Sequence, residues 1–168
     1  GIVLADDGAI LARHREPTPR GNYAAIVAAI AGVVGRLETA TGLRCRVGIG
    51  MPGTFSPYSG LTRNSNTVEL NGMPLDRDLE ALLERPLRFE NDANCFALSE
   101  AVDGVGADAA SVFGVILGTG TGGGLVFAQR IWRGRNAVAG EWGHNPLPWP
   151  RGDETPGPPC YCGRCGCL

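Results

Sequence analysis

Segments with strand periodicity alternate with segments of helical periodicity, and this alternation constrains the fold more than any other feature of the chain. Short apolar runs bounded by turn residues predict strands, and apolar residues three and four positions apart predict amphipathic helices. We predict strands at 2–5, 10–15, 46–50, 87–90, 111–117 and 125–128. We predict helices at 23–41, 75–83 and about 91–102, with a long loop at 51–71. This order indicates an α/β architecture with a partly parallel sheet.

Charge and composition exclude several classes of protein. The 168 residues carry a formal net charge of −2, so no basic surface for nucleic acid is expected. We also expect no membrane partner, because no apolar stretch approaches the roughly 18 residues that a spanning helix needs. Hydrophobic residues make up 43% of the chain, which is enough for the core of a soluble globular protein.

Six cysteines are spread unevenly along the chain. Cys45 and Cys95 stand singly among apolar residues, which predicts small buried side chains. The other four fall within the last eight residues, at Cys160, Cys162, Cys165 and Cys167. A secreted disulfide framework distributes its cysteines over the fold, so this cluster favours metal ligands in a reducing compartment. We therefore predict a cytoplasmic protein.

A histidine upstream of the cluster widens the choice of metal ligands. His144 with several cysteines offers the nitrogen and sulfur donors that suit zinc. One possible set is His144, Cys160, Cys162 and Cys167, and the other replaces His144 by Cys165. We favour the mixed set, because four ligands within eight residues would strain the backbone.

A glycine-rich segment lies between two apolar runs. It comprises Gly118, Thr119, Gly120, Thr121, Gly122, Gly123 and Gly124. Glycines expose successive backbone N–H groups that can cradle phosphate oxygens, although an ordinary tight hairpin would use the same residues. The segment lacks a Gly-Lys-Ser/Thr ending and precedes a strand, which disfavours both a P-loop and a dinucleotide-binding turn.

Asp92 lies where a predicted strand meets a predicted helix. The helix dipole favours a carboxylate in the first turn, and such a group is well placed to accept a proton from a substrate hydroxyl. The alternative is that the Asn91-Asp92 pair only caps the helix.

Together these blocks resemble the ROK family of bacterial sugar kinases and related repressors. The resemblance covers nearly the whole chain and is strongest at residues 48–53, 90–94, 117–124, 139–144 and 160–167. It is closest to the fructokinase (manno-fructokinase) branch, which residues 56–60, 71–72 and 143–149 resemble in particular.

The resemblance implies a two-domain actin-like (ribonuclease H-like) ATPase fold of the α/β class. Residues 1–107 would form the N-terminal domain without its first strand and phosphate loop, and residues 108–168 would begin the nucleotide-binding domain. Asp92 would be the catalytic base. Gly53, Asn91, Glu141 and His144 would bind the sugar, and residues 118–124 would contact the nucleotide phosphates. The zinc ligands would be His144, Cys160, Cys162 and Cys167.

The implied reaction is ATP-dependent phosphorylation of a hexose, most closely fructose to fructose 6-phosphate, with Mg²⁺ accompanying ATP and a structural Zn²⁺. An N-acetylglucosamine or glucose kinase of the same family is an alternative, as are a sugar-sensing ROK repressor and a zinc-stabilised interaction module. We expect the intact protein to form a homodimer. Both ends look truncated, so we expect this chain alone to be inactive.

Overall fold

The fold is described from a computed structural model, which covers residues 1–118, 120–160 and 162–168. The strands in these ranges are β1 (Ile2–Leu4), β2 (Ile10–Arg13), β3 (Gly48–Met51), β4 (Thr54–Phe55), β5 (Thr62–Arg63), β6 (Arg88–Asn91), β7 (Ser111–Leu117), β8 (Thr121–Phe127) and β9 (Arg130–Ile131). The α-helices are α1 (Tyr23–Thr41), α2 (Leu75–Leu83) and α3 (Asp92–Val102). Short 3-10 helices form at Val68–Leu70 and Gly152–Glu154.

The chain forms two compact units. One comprises Gly1–Ile49 and Gly60–Phe89, and the other comprises Gly50–Ser59 and Glu90–Leu168. The predicted domain boundary between residues 107 and 108 concerns the family fold rather than these units, so it stays a prediction.

The first unit packs α1 against α2 and β2. Asn22 caps α1 by accepting the Ala25 N–H, and Gly42 ends the helix in the left-handed conformation with a φ of 68°. Its buried apolar side chains are Val3, Ile26, Val27, Leu37, Leu70, Leu75 and Leu79. The buried residues of α1 (Ile26, Val27 and Leu37) and of α2 (Leu75 and Leu79) recur at the helical spacing read from the sequence, which explains why the predicted bounds of these helices are confirmed.

A paired carboxylate and guanidinium link α1 to the residues that follow α2. Both Arg85 terminal nitrogens donate to the Glu38 carboxylate, at 2.6 Å and 2.8 Å, and one also donates to the Cys45 carbonyl at 3.0 Å. The Arg85 hydrogen bonds lower the pKa of Glu38 to about 2. The pair is mostly buried, so solvent screens it less than a surface pair.

Helix α1 corrects one expectation about the chain. By length and composition alone, it is apolar enough to cross a membrane, so the prediction that no stretch approaches that length is wrong. The core helix of a soluble protein meets the same criterion. Here Ile26, Val27 and Leu37 of α1 lie in the core of the first unit.

The second unit is built on an antiparallel sheet of β7, β8 and β9 with α3 packed against it. Ser111 pairs with Phe127 and Leu117 pairs with Thr121, so β7 and β8 are matched along their whole length. The centre of the packing is Ala97 and Ala101 of α3 with Val126 of β8. This packing fixes the N-terminal end of α3, where Asp92 lies, relative to β8.

The bounds of several strands differ from the sequence prediction. Strand β8 was expected at 125–128 but begins at Thr121, and β9 was not predicted. The predicted loop at 51–71 contains β4, β5 and a 3-10 helix. The two lone cysteines are also not fully buried, since Cys45 is half-buried and Cys95 is exposed.

The Glu38–Arg85 pair gives a testable pH dependence. We expect Arg85→Gln to lower the free energy of unfolding by about 1.5–3 kcal/mol at pH 7, the usual range for a lost hydrogen bond to a charged group. Because the folded-state pKa of Glu38 lies below its ordinary value of 4.5, this contribution is complete above about pH 4.5. It should decline as the pH falls towards 2, which urea titrations at several pH values would measure.

A matched control is Arg36→Gln, which removes an exposed pair between Arg36 and Glu16 on the same unit. That change should cost no more than about 0.5 kcal/mol. Equal losses in the free energy of unfolding for Arg85→Gln and Arg36→Gln would contradict the stabilising role assigned to the Glu38–Arg85 pair.

Candidate active site and metal centre

The junction between β6 and α3 is held by Asn91. Its Oδ1 accepts the backbone N–H groups of Ala93 at 3.0 Å and Asn94 at 3.1 Å, so Asn91 is the N-cap of α3. Its Nδ2 donates one hydrogen to the Gly53 carbonyl at 3.1 Å, and only 9% of the residue is exposed. Asn91 therefore does cap α3, and its predicted contact with a sugar, which would use the second Nδ2 hydrogen, stays a prediction.

Gly53 lies beside this cap for a conformational reason. Its φ of 77° falls in the left-handed region, which glycine adopts without the steric cost of a Cβ. The predicted pocket residue Gly53 and the predicted junction at Asn91 are thus brought together by a hydrogen bond.

Asp92 is the first residue of α3, and it is exposed. One carboxylate oxygen accepts the Ala93 N–H at 2.9 Å. The side chain is therefore accessible from solvent at the start of α3.

Most of the glycine-rich segment is strand rather than turn. Where the chain passes from β7 to β8, the Gly118 N–H donates to the Gly120 carbonyl at 3.0 Å, and Thr121 to Gly124 belong to β8. Thr119 lies outside the described residues. The interpretation of the whole segment as a turn is corrected here, because β7 and β8 pair through Leu117 and Thr121.

The strand glycines allow close packing against α3. A Cβ at position 124 would lie 2.7 Å from the Ala93 carbonyl oxygen and 2.9 Å from the Ala97 Cβ. A Cβ on the paired Gly114 would lie 2.8 Å from the same Ala97 Cβ. Glycine is therefore required at these positions for helix packing, whatever else the segment binds.

The loop that carries Glu141 and His144 lies directly on β8. A Cβ at Gly140, whose φ is 89°, would approach the Gly123 carbonyl oxygen to 2.7 Å, and a Cβ at Gly143 would overlap the Thr121 carbonyl. The Trp142 Nε1 also donates to the Gly122 carbonyl at 2.8 Å. The backbone of this loop is thus fixed against the strand that follows the glycine turn.

Asp92 and His144 both act electrostatically on the Glu141 carboxyl. Desolvation raises the pKa of the Glu141 carboxyl although the residue as a whole is exposed. The charge of His144 opposes the increase, and that of Asp92 adds to it. The structure therefore brings the three predicted site residues into one neighbourhood.

Four side chains form a compact set of metal-ligating atoms. The ligand atoms of His144, Cys160, Cys162 and Cys167 all lie within 4.8 Å of one another. The Cys162 and Cys167 sulfurs are 3.7 Å apart, and the His144 Nδ1 is 3.6 Å from the Cys160 sulfur. Tetrahedral zinc requires separations of about 3.8 Å between sulfurs and about 3.6 Å between sulfur and nitrogen. The donor set therefore fits zinc, and a disulfide, at about 2.05 Å between sulfurs, does not form.

Local backbone geometry presents the cysteines together. The Gly163 N–H donates to the Cys160 carbonyl at 3.0 Å, and the Cys160 N–H donates to the Arg164 carbonyl at 2.8 Å. Gly163 has a φ of 85° and Gly166 a φ of 71°, which allows the chain to fold back. Cys165 is exposed and lies outside the set of four.

The thiols differ in how readily they ionise. A backbone hydrogen bond from Arg164 lowers the pKa of the Cys162 thiol. Desolvation, with hydrogen bonding to Cys162 and Cys160, raises the pKa of Cys167 to about 11. Since zinc binds thiolates, a cation at this place would favour deprotonation of the whole set.

Three residues near Asp92 were not assigned a role from the sequence. Glu90 accepts hydrogen bonds from Asn94 and from Arg133. Glu90 lies in β6 and Asn94 in α3, so no helical spacing indicates their contact, although both belong to a motif already singled out. Arg133 is 43 residues from Glu90, and no sequence pattern pairs them.

The sequence profile of the ROK family matches residues 1–168. The chain therefore belongs to the ROK family, and the family resemblance read from the motifs is confirmed.

Individual relatives give a more detailed comparison. The chain is 45% identical over 162 residues to an N-acetyl-D-glucosamine kinase of Vibrio cholerae serotype O1, covering 94% of this chain and 54% of that protein. It is similar to a ROK family glucokinase from Streptomyces griseus, solved with glucose and AMPPNP, with a TM-score of 0.83 and 31% identity over 99% of this chain and 51% of the other. It is also similar to a ROK hexokinase from Thermus thermophilus, with a TM-score of 0.72 and 34% identity, covering 95% of this chain and 51% of the other.

These similarities confirm the predicted actin-like ATPase fold of the α/β class. The chain spans about half the length of the curated relatives it matches. The fructokinase branch is not specifically indicated, since the relatives named here are an N-acetylglucosamine kinase, a glucokinase and a hexokinase.

Proposed function

We propose that this chain is part of an ATP-dependent hexose kinase. The observation that carries the proposal is the exposed Asp92 carboxylate at the N-terminus of α3, in one neighbourhood with Glu141 and His144. Similarity to proteins named as sugar kinases supports the same activity. A repressor needs affinity for sugar but no base, so Asp92 favours catalysis over sensing.

N-acetylglucosamine is the hexose that we propose first. The curated relatives that match most of this chain are named N-acetyl-D-glucosamine kinases. Fructose was the expectation from three fructokinase-like segments, but these comparisons support it less well than the alternative of N-acetylglucosamine.

Asp92 would act as the base towards the sugar 6-hydroxyl. As the proton passes to the carboxylate, the hydroxyl oxygen forms a bond to the γ-phosphorus of ATP, the bond between that phosphorus and the bridging oxygen breaks, and ADP leaves. Phosphoryl transfer needs mainly positioning and charge stabilisation from the protein. ATP would enter as its Mg²⁺ complex.

The remaining predicted contacts keep their proposed roles. Gly53, Asn91, Glu141 and His144 would line the sugar site. Gly118 and Gly120 are the glycines of this segment best placed to approach phosphate, because residues 121–124 are engaged in strand pairing and packing.

We propose that His144, Cys160, Cys162 and Cys167 hold a structural Zn²⁺. The ion would supply no chemistry to the reaction. Its ligands would fix the His144 ring through Nδ1, and an imidazole has a second nitrogen that can contact a sugar hydroxyl. The cluster would thereby order the loop that carries Glu141.

The cytoplasmic location and the homodimer of the intact protein remain predictions. Sedimentation of the full-length protein would measure its oligomeric state, and fractionation of cells would measure its location.

The substrate prediction is tested on full-length protein with a panel of sugars. N-acetylglucosamine, glucose, mannose and fructose would be assayed side by side for ADP release. We expect phosphorylation of hexoses, with the highest kcat/KM for N-acetylglucosamine. A higher value for fructose would restore the fructokinase interpretation, and sugar binding without phosphorylation of any member would indicate a repressor.

The role of Asp92 is tested by Asp92→Asn, which preserves shape but removes the base. We expect kcat to fall by at least about 100-fold while the sugar still binds, because general-base catalysis contributes about 10²–10⁴-fold. Asp103→Asn, at the other end of α3, is the matched control and should leave kcat unchanged. A near-normal kcat for Asp92→Asn would remove Asp92 from the mechanism.

Zinc content across single substitutions tests the ligand set. Cys165→Ser should retain about one zinc per chain, whereas His144→Ala and Cys167→Ser should lose the metal or bind it far more weakly. The measurement is elemental analysis after dialysis. Loss of zinc from Cys165→Ser with retention in His144→Ala would refute this set in favour of four cysteines.

A further inference from the structure

The Glu90 carboxylate lies at the centre of a hydrogen-bond network beside Asp92. Its Oε1 accepts the Asn91 backbone N–H at 3.0 Å and the Asn94 Nδ2 at 3.0 Å. Its Oε2 accepts from the Arg133 Nε at 2.8 Å and also from the Arg133 Nη2. A carboxylate has about four lone-pair positions, so these four donors occupy its accepting capacity. Glu90 is therefore suited to hold its neighbours rather than to accept a proton.

The partners of Glu90 are the residues that place Asp92. Asn91 caps α3, donates to Gly53 and gives its own N–H to Glu90. Asn94 is only 6% exposed, and its Nδ2 donates to Glu90 from the first turn of the helix. The carboxylate thus spans the strand end and the first helical turn, and Asp92 lies between these two contacts.

Arg133 gives this network its positive charge. The Glu90 side chain is only 15% exposed, whereas that of Arg133 is 60% exposed. The charges of both Glu90 and Asp92 raise the pKa of Cys95, although desolvation is the larger cause, so two carboxylates act on one region. A guanidinium on Glu90 offsets part of that negative charge and orients the carboxylate through two N–H groups.

Arg133 also begins the loop that reaches the sugar site. The preceding residue, Trp132, donates its N–H to the Leu125 carbonyl of β8 at 2.8 Å, and the Arg133 carbonyl accepts the Ala139 N–H at 3.1 Å. The backbone of Arg133 is therefore hydrogen-bonded within the loop that leads to Glu141. Its side chain contacts Glu90, in the strand that precedes Asp92.

We propose that Arg133 is a positioning residue, which acts through Glu90 to fix the Asn91–Asp92 junction relative to the loop carrying Glu141 and His144. The inference rests on the proposed kinase function. A small displacement of a reacting group can cost about 100-fold in rate, so an ion pair that sets this distance affects catalysis without touching the substrate.

The experiment uses full-length protein and the variants Arg133→Ala, Arg133→Lys and Glu90→Gln. We expect Arg133→Ala to lower kcat/KM for the sugar at least about tenfold, with the KM for ATP within about twofold of wild type. Arg133→Lys should be intermediate, because it retains the charge but not the forked geometry. The losses in kcat/KM caused by Arg133→Ala and Glu90→Gln should be non-additive in the double variant, because each change removes the same ion pair.

Chemical rescue separates positioning from a general structural role. Because Arg133 is exposed, millimolar guanidinium should enter the gap left in Arg133→Ala and restore part of kcat, whereas equal sodium chloride should not. The matched control is Arg135→Ala. Arg135 is an exposed arginine of the same loop with no ion pair among the described residues, so this variant should have the kcat and kcat/KM of the wild type.

Each outcome decides between the proposals. Wild-type kinetics for Arg133→Ala, or a loss that is additive with Glu90→Gln and unaffected by guanidinium, would overturn the role of Arg133 while leaving the kinase function intact. If the wild-type protein bound no sugar in calorimetry, the proposed function and this inference would both fail.

Discussion

Backbone-to-backbone packing at β8 is the constraint on which the rest of the candidate site depends. Gly124 allows α3 to approach the strand, since a side chain there would meet the Ala93 carbonyl. Gly123 allows the loop at Gly140 to approach as well. The helix that presents Asp92 and the loop that presents Glu141 are therefore both placed by contacts with one strand, and a side chain at either glycine would move a functional group.

Side-chain contacts then refine what the glycines permit. The ligand cluster ties His144 to the turn of Cys160 and Cys162, and the Glu90–Arg133 pair ties the start of the same loop to the strand before Asp92. The loop is thus held near both its ends, with Glu141 between them. Fixing a loop at two points restricts its motion more than either contact would alone, which suits a site that works by positioning.

The sequence predicted the parts of the fold that depend on local periodicity. Helices α1 and α2 and strand β7 have the predicted bounds, because their apolar residues recur at the spacing that burial requires. Strand β8 begins four residues earlier than predicted. Its first part was missed because glycine has low strand propensity, and only the packing of Gly122, Gly123 and Gly124 in the folded protein explains why they lie in a strand. The short strands β4, β5 and β9 carry too few residues for any periodicity to be read.

The candidate site was predictable to the extent that its residues share a motif. Asp92 and the four ligand residues lie in short segments whose chemistry is legible from spacing, whereas the pairing of Glu90 with Arg133 depends on folding. The same holds for Asn91, whose capping bonds decide how much of its amide a sugar could use.

The different surroundings of the two carboxyl groups support the division of labour proposed here. The Asp92 side chain is exposed at the N-terminus of α3, where one of its oxygens accepts the Ala93 N–H. The Glu141 carboxyl is desolvated, and the nearby negative charge of Asp92 further disfavours its own ionisation. When protonated, a carboxyl has one O–H donor and keeps acceptor capacity, which suits the hydrogen bonds with sugar hydroxyls proposed for Glu141. The choice of Asp92 as the proposed base rests instead on position, because its exposed side chain stands at the junction of β6 and α3 that Asn91 and Glu90 hold in place.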